Sequence, residues 1–581
     1  MRTMNRQGSK LGLGEVRDAW RANRWLLRAA ALFSVFVNLL MLTGPLFMLQ
    51  VYDRVLVSRS EQTLLALFIL MTFMFAMMGL LDFVRGRILA RIGARFQAGL
   101  DRRVFAAVLL QAARAPHSHK VANNLRDLEA VQRLVSSPVF TAVFDMPWTP
   151  VFLAAILIFH PWLGALALTG GGVLIALTSL QQWRTRLPAE RAAIATITSE
   201  NLAEHLRTEA EMLRALGMQD SAFERWNLAR RDALRETMRT ADHTGGFTAL
   251  SRSFRLFLQS AMLGLGAYLV LQSQLSPGAM IAASVLLGRA LAPVDLAIGQ
   301  WHLFQRAHSG WHALGNLLSE VPPLTARTKL PRPKAHLHAE NVTIIAPGQN
   351  HAALRMVSFD LQPGQALGVI GPSGAGKSTL ARAITGVWPC AGGHIRLDGA
   401  SLDQFDPDVL GQHVGYLPQR VRLFDGTIGE NIARLALLRD DEKVVIAAKK
   451  AAAHEMILRL PRGYDTLITG NGAMLSGGQI QRIGLARAMY GDPVVLVLDE
   501  PNSNLDNDGS LALNAAIREM KKAGGAVLIM AHRPAAIQEC EKLLFLDAGT
   551  ARAYGPRDAV LRDTVKNLRE VGQDNTRRGV S

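Results

Sequence analysis

The sequence predicts an α-helical six-span transmembrane domain followed by an α/β domain. Three observations predict it. Four uncharged stretches of 24, 20, 38 and 33 residues all fall before residue 289. Beyond a proline-rich connector, short β-like runs alternate with helix-forming ones, the pattern of an α/β domain. Within that second half, a buried-strand run leads through a glycine-rich loop directly into a helix-forming run, over residues 365–384.

Composition supports the division and excludes other classes. The chain has 581 residues, 49% apolar and 19% charged, with a mean hydropathy of +0.15. That is too apolar for an ordinary soluble enzyme and too polar for a chain that is membrane throughout; disordered, collagen-like and coiled-coil readings fail on the same figures. Cys390 and Cys540 are the only cysteines, which excludes a disulfide-stapled scaffold. The formal charge is +17, of which residues 1–320 carry +12 and residues 321–581 carry +5. The excess lies with the apolar runs, where basic cytoplasmic loops are expected, so no nucleic-acid partner is predicted.

The stretch 29–52 is 24 residues without a charge and 62–81 is 20. Each can cross about 30 Å of hydrocarbon as a helix. The 38-residue stretch 146–183 is too long for one crossing, and His160-Pro161-Trp162 divides it. The 33-residue stretch 256–288 is divided by the turn signal Ser273 to Gly278. Six spans result. Buried core helices can also be apolar all round, but they rarely run 20 residues without a charge. A cleaved signal peptide would be shorter and followed by a small-residue site.

Lys and Arg give the orientation. Residues 1–28 hold seven and residues 85–133 hold ten, whereas the linkers 53–61, 160–162 and 273–278 hold only Arg54 and Arg59. The positive-inside rule then places both termini and the loops around 85–137 and 184–250 in the cytoplasm. These loops are rich in helix formers and are predicted to continue the spans as helices. Arg85, Arg87, Arg91, Arg95, Arg102 and Arg103 would give the first loop a basic mouth, or serve only as the topological signal. Asp145, Arg289 and Asp295 lie in or beside spans, where a charge is either functional or snorkelling.

The expected organisation is a cytoplasmic segment 1–28, a membrane domain 29–320, a linker 321–334, a second domain 335–565 and a polar tail 566–581. In the second domain, Gln365 to Ile370 reads as a buried strand, followed by Gly371-Pro372-Ser373-Gly374-Ala375-Gly376-Lys377-Ser378-Thr379 and a helix. Strand, G-x-x-x-x-G-K-S and helix make a P-loop in its required context. Its glycines let the backbone fold into a nest of N–H groups around a phosphate. Lys377 supplies a point charge, and the Ser378 hydroxyl is placed for Mg2+. Further on, Val494 to Leu498 forms an apolar strand ending in Asp499-Glu500. Burying two carboxylates is costly; Asp499 can hold Mg2+ and Glu500 can polarise an attacking water.

Leu475-Ser476-Gly477-Gly478-Gln479 begins, at Ser476, 24 residues before Glu500. With this motif the chain resembles the ATP-binding cassette proteins over essentially its whole length: six spans, then one cassette, an α/β P-loop domain that hydrolyses ATP. The resemblance implies further roles. Gln419 looks like the Q-loop residue, Asp506 like the D-loop aspartate and His532 like the switch histidine at the γ-phosphate. Ser476, Gly477, Gly478 and Gln479 would cap the ATP held by another subunit, which implies a homodimer. Two departures stand out. Ala346 occupies the place where relatives stack an aromatic on adenine, and Gly470 stands where many exporters carry a glutamate.

Fusion of six spans to one cassette resembles the exporters. Within them, the segments Met48 to Leu56, Ser58-Arg59-Ser60, Phe144 to Trp148 and His160 to Gly164 resemble the ATPases of type I protein secretion systems. That resemblance implies a bacterial inner membrane, contact with membrane lipid, a periplasmic membrane-fusion adaptor, an outer-membrane channel and a polypeptide cargo with a C-terminal signal. Some relatives carry an N-terminal peptidase-like domain; only about 25 residues precede the first span, so cargo is expected to leave unprocessed. The competing readings are a half-size lipid or drug exporter and an ATP-driven regulator that moves nothing.

Overall fold

A computed structural model describes residues 2–114, 124–323, 327, 330–469, 475–503, 505, 507–531 and 537–562. The chain divides into two compact units, the first of residues 1–110 with 119–323 and the second built on 324–581.

Among the described residues, six helical segments are long and apolar enough to cross a membrane: Arg24–Ser58, Glu61–Ala113, Pro138–Phe159, Pro161–Thr208, Gln219–Leu271 and Pro277–Ala297. The expected breaks are where the chain turns. His160 is extended and its ring accepts from Trp162 N, with Pro161 opening the fourth span, as suits a residue without an N–H. Where they are described, the long polar loops are largely helical: the second span continues as one helix of 54 residues, the fourth of 48 and the fifth of 53. One boundary differs from expectation. The third span starts at Pro138 rather than near Met146, because the helix Pro138–Asp145 continues through a 3-10 turn at Met146–Trp148 into the helix Thr149–Phe159.

Close packing of the fourth and fifth spans depends on a glycine. A Cβ on Gly170 would lie 2.3 Å from Leu258 Cδ1, the close approach that small residues permit between membrane helices. Asp53, at the end of the first span, caps the start of the sixth: its carboxylate accepts from Gly278 N at 2.9 Å and from Ser276 Oγ at 2.6 Å. An acidic group at a helix N-terminus satisfies orphan N–H groups and suits the helix dipole. After the sixth span, the helix Trp301–Glu320 packs against the N-terminal helix Arg2–Arg21, sharing a core of Val16, Phe96, Leu314 and Leu318.

Arg85 is only 3% exposed. It donates to Asp145 Oδ1 at 2.7 Å, Asp82 Oδ1 at 2.6 Å and Ser34 Oγ at 2.6 Å. Asn38 Nδ2 also donates to Asp145, at 2.7 Å. Arg103 holds Glu15 at 3.0 Å and the carbonyl of Val321. Two of the six arginines of the expected basic mouth are therefore spent on pairing within the unit, and the buried Arg85 guanidinium requires its partners. Arg87, Arg91, Arg95 and Arg102 are exposed. Asp295 pairs with Arg255, so neither stands as an isolated charge.

The second unit carries strands β1 (Leu337–Ile345), β2 (Ala352–Leu361), β3 (Ala366–Ile370), β4 (Gly392–Leu397), β5 (Ala400–Ser401) and β6 (Val414–Leu417). They are followed by β7 (Gly426–Thr427), β8 (Leu467–Ile468), β9 (Val495–Asp499), β10 (Ala526–Met530), β11 (Lys542–Asp547) and β12 (Thr550–Pro556). One sheet has the order β2-β1-β4-β5 and is antiparallel; the larger has the order β12-β11-β3-β10-β9-β6. In the larger sheet β11, β3, β10, β9 and β6 run parallel. Every residue of β9 and β10 is buried, which is why these strands read as continuous apolar runs rather than alternating ones.

Candidate nucleotide-binding and hydrolysis site

Four parallel strands end at one edge of the larger sheet, in register: Met530 pairs with Val369 and with Asp499, and Leu417 pairs with Leu498. Their following loops therefore meet at the carboxyl edge, where open α/β sheets bind ligands. After β3 comes Gly371 to Gly376, then the helix Lys377–Ile384. Gly376 has φ of +102° and a Cβ there would lie 2.5 Å from Leu354 Cδ2. Only glycine fits this strained, crowded position. The loop thus closes on the helix N-terminus, an anion-binding arrangement.

Lys377 is 5% exposed, and its Nζ donates to Gly371 O at 2.9 Å and Pro372 O at 3.0 Å. Burial lowers its pKa from the ordinary lysine value, and the carboxylates of Glu500 and Asp499 oppose that shift. Asp499, 2% exposed at the end of β9, has a pKa raised above the ordinary carboxyl value. Burial is the main cause, opposed by a hydrogen bond with Ser378. Its Oδ1 has no hydrogen-bond partner among the described residues. An orphaned buried carboxylate oxygen beside a serine hydroxyl fits a hard divalent cation, which takes oxygen ligands. Beside it on β6, the Tyr416 phenol is pushed up to about 12, first by burial and then by the Asp499 charge.

Glu500 has φ of +52°, a left-handed backbone held by its N–H donating to Met530 O at 3.0 Å. Such a conformation costs about 1–3 kcal/mol in a non-glycine residue and persists where the surroundings over-determine it. It turns the Glu500 side chain out of the β9 alternation, and Gln419 Nε2, in the loop after β6, donates to Glu500 Oε2 at 3.1 Å. The structure thus gathers Gly371, Pro372, Ser373, Gly374, Ala375, Gly376, Lys377, Ser378, Thr379, Gln419, Asp499 and Glu500 at one sheet edge.

Ser476 caps the helix Gly477–Met489. Its hydroxyl accepts from Gln479 N at 3.3 Å, and Gln479 Oε1 accepts from Ser476 N at 2.8 Å. The motif is a capping box, Ser-x-x-Gln, which satisfies two orphan donors reciprocally. Gln479 is thereby committed to its own helix, leaving Ser476, Gly477 and Gly478 to present the turn. His532, Asp506 and Gly470 lie outside the described residues. Sequence reading missed Gln481, which is 2% exposed and donates to Pro501 O at 2.5 Å. It ties this helix to the residue following Glu500. Nothing in the sequence marks it, since its burial and its contact with Pro501 arise only in the folded domain. Ala346 sits in the turn after β1, its carbonyl accepting from Gln349 N at 3.0 Å, and packs into the smaller sheet's core with no aromatic side chain at that position.

Residues 27–294 match the ABC transporter transmembrane region and residues 354–503 match the ABC transporter family. The chain is 43% identical over 533 residues to the type I secretion system ATP-binding protein PrsD of Rhizobium meliloti (strain 1021), covering 92% of each chain. It is 29% identical to the toxin RTX-I translocation ATP-binding protein of Actinobacillus pleuropneumoniae, over 91% of this chain and 75% of that one. A bacterial Atm1-family ABC exporter solved with ATP bound has the same fold, with a TM-score of 0.79 at 22% identity, covering 93% of this chain and 96% of the other. Six spans and one cassette are common to both readings; the type I secretion relatives support the secretion reading over the half-size lipid or drug exporter. The chain belongs to the ATP-binding cassette transporters, among the ATP-binding proteins of type I secretion systems, and is a multi-pass membrane ATPase coupled to transport.

Proposed function

We propose that the protein works as a homodimer in a bacterial inner membrane, with both termini cytoplasmic, and drives polypeptides out of the cytoplasm. The observation that carries the chemical part is the convergence of Lys377, Asp499, Gln419 and Glu500 at one sheet edge. In this reading the P-loop amides of residues 371–379 and Lys377 bind the phosphates of ATP. Lys377, now resting on two carbonyls of its own loop, transfers those donors to the β- and γ-phosphate oxygens. Ser378, Asp499 and Gln419 would hold Mg2+, which when bound neutralises phosphate charge. Glu500 orients a water and takes its proton as general base, and Gln419 holds the Glu500 carboxylate in place until nucleotide arrives.

Ser476, Gly477 and Gly478 would meet the ATP of a second copy, making nucleotide the adhesive between two cassettes. Asp506 and His532 are proposed to act there as the family pattern implies. The domain limits 29–320 and 335–565, with linker 321–334, are kept in this reading. The partners proposed are a periplasmic membrane-fusion adaptor, an outer-membrane channel and a cargo with a C-terminal signal, alongside membrane lipid around the spans. The test is Glu500→Gln in the purified protein. Nucleotide binding is retained, turnover falls by about 10²–10⁴, and ATP becomes trapped in a stable dimer. Near-normal turnover would overturn the assignment.

A further inference from the structure

Among the described residues, His336, His338 and Asp360 form the group whose ligand atoms all lie within 4.8 Å of one another. None of them takes part in the nucleotide site. His336 immediately precedes β1 and His338 is its second residue, so the two rings are two positions apart and share one side of the strand. Asp360 lies directly opposite His338 on β2 in the antiparallel register. His336 Nε2 is 2.7 Å from Asp360 Oδ1 and His338 Nδ1 is 3.1 Å from the same oxygen. The three side chains are partly exposed, at 36%, 44% and 33%, so an ion has a path in from solvent.

We propose that these residues form a binding site for a divalent cation of the zinc type, with His336 Nε2, His338 Nδ1 and Asp360 Oδ1 as ligands and water in the fourth position. Two imidazoles and a carboxylate are the donor set such an ion takes. With metal–ligand bonds of about 2.0–2.2 Å, a tetrahedral site spaces its ligand atoms by about 3.3 Å. The two spacings to Asp360 Oδ1 need to open by about 0.6 and 0.2 Å, and the two ring nitrogens lie within 4.8 Å of each other.

The surroundings hold the ligands as a supporting shell does. Gln362 Nε2 donates to Asp360 Oδ2 at 2.5 Å, leaving Oδ1 for the metal, and lies 3.1 Å from His336 Nε2, a contact it gives up when that nitrogen binds the ion. The backbone of Asp360 is clamped by Tyr554, whose hydroxyl donates to Asp360 O at 2.5 Å and accepts from Asp360 N at 3.1 Å. On the other side, Asp398 N donates to His336 O at 2.8 Å, and Lys334 N donates to Asp398 Oδ2 at 2.9 Å. The metal would fasten the first strand of the cassette to its neighbour where the chain enters the domain.

The experiment uses the full chain, purified in detergent, stripped with a chelator and kept free of nucleotide. Zn2+ is titrated against a chromophoric indicator, and Co2+ is added separately for its visible spectrum. One equivalent binds per chain, and the double variant His336→Ala with His338→Ala weakens it at least 100-fold while Mg·ATP hydrolysis stays within twofold. His308→Ala with His312→Ala, the ring pair on Trp301–Glu320, leaves the equivalent in place. Should the alanine variant lose ATPase as well, His338→Cys decides: it retains the equivalent and adds a thiolate-to-Co2+ charge-transfer band. No stoichiometric Zn2+ binding by the wild type, unchanged binding in the alanine variant, or no such band in the cysteine variant overturns the site.

Discussion

Gln419 Nε2 and Glu500 Oε2 stand 3.1 Å apart although 81 residues separate them in the chain. The contact exists because β6 and β9 are adjacent parallel strands whose ends are level, Leu417 opposite Leu498. It couples the proposed general base to a loop whose amide must let go when nucleotide enters. Gln419→Ala is expected to lower ATP turnover about 10–100-fold, the cost of a misplaced reacting group, with nucleotide affinity little changed. A Kd raised in proportion to the lost rate would instead assign Gln419 to ground-state binding.

The pH profile follows from two opposite shifts. Asp499 must be ionised to serve, and burial raises its pKa above the ordinary carboxyl value. The acid limb of turnover therefore falls at a higher pH than an ordinary aspartate would give. Lys377 must be charged, and burial lowers its pKa, so the alkaline limb comes below the usual lysine range. Asp499→Asn and Lys377→Met, measured by nucleotide binding against pH, should each remove one limb. A profile flat where the limbs are expected would show that bound nucleotide resets both groups.

Stability without nucleotide carries a further sign. A buried carboxyl with raised folded pKa binds its proton more tightly folded than unfolded, so its penalty is present above the folded pKa and relieved as pH falls through it. Asp499→Asn removes the charge and is expected to raise the thermal midpoint of the nucleotide-free protein at neutral pH while abolishing turnover, a stability-for-activity exchange. A lowered midpoint would mean that the Lys377 field outweighs burial.

Adenine recognition provides another measurement. A base-aromatic stack is worth about 1–3 kcal/mol, and Ala346 supplies none. ATP and GTP should bind with similar, modest affinity, and Ala346→Tyr should tighten ATP. A wild-type preference for ATP of a hundredfold would require an aromatic from elsewhere.

In the membrane unit, Arg85 and Asp145 form a buried pair at 2.7 Å that joins the first three spans through Ser34 and Asn38. Removing one partner leaves an uncompensated buried charge, costing about 3–5 kcal/mol. Arg85→Leu and Asp145→Leu alone should each lower thermal stability in detergent, and the double variant should lose less than the sum. Additive losses would show that Asp82 and Ser34 satisfy Arg85 without Asp145.

The spans were legible because a run of 20 uncharged residues has few environments other than hydrocarbon. The P-loop was legible because its chemistry is local: glycine conformations, Lys377 and Ser378 follow one another within a single turn. The capping box at Ser476 and Gln479 is local too. What sequence order could not supply was the pairing of distant side chains. Arg85 read as one of six arginines of the first cytoplasmic loop, yet folding buries it against Asp145, 60 residues away. Asp53 read as a mark of resemblance, and its physical task, capping the sixth span 225 residues later, appears only when the two helix ends meet. His336 and His338 were two unremarked histidines until the register of β1 on β2 placed Asp360 opposite them. The sequence by itself determined which segments enter the membrane and which bind phosphate, because hydrophobic transfer and backbone conformation act on neighbouring residues. Only the tertiary structure decided which charges are paired and which side chains converge, because those energies depend on distances that chain order does not contain.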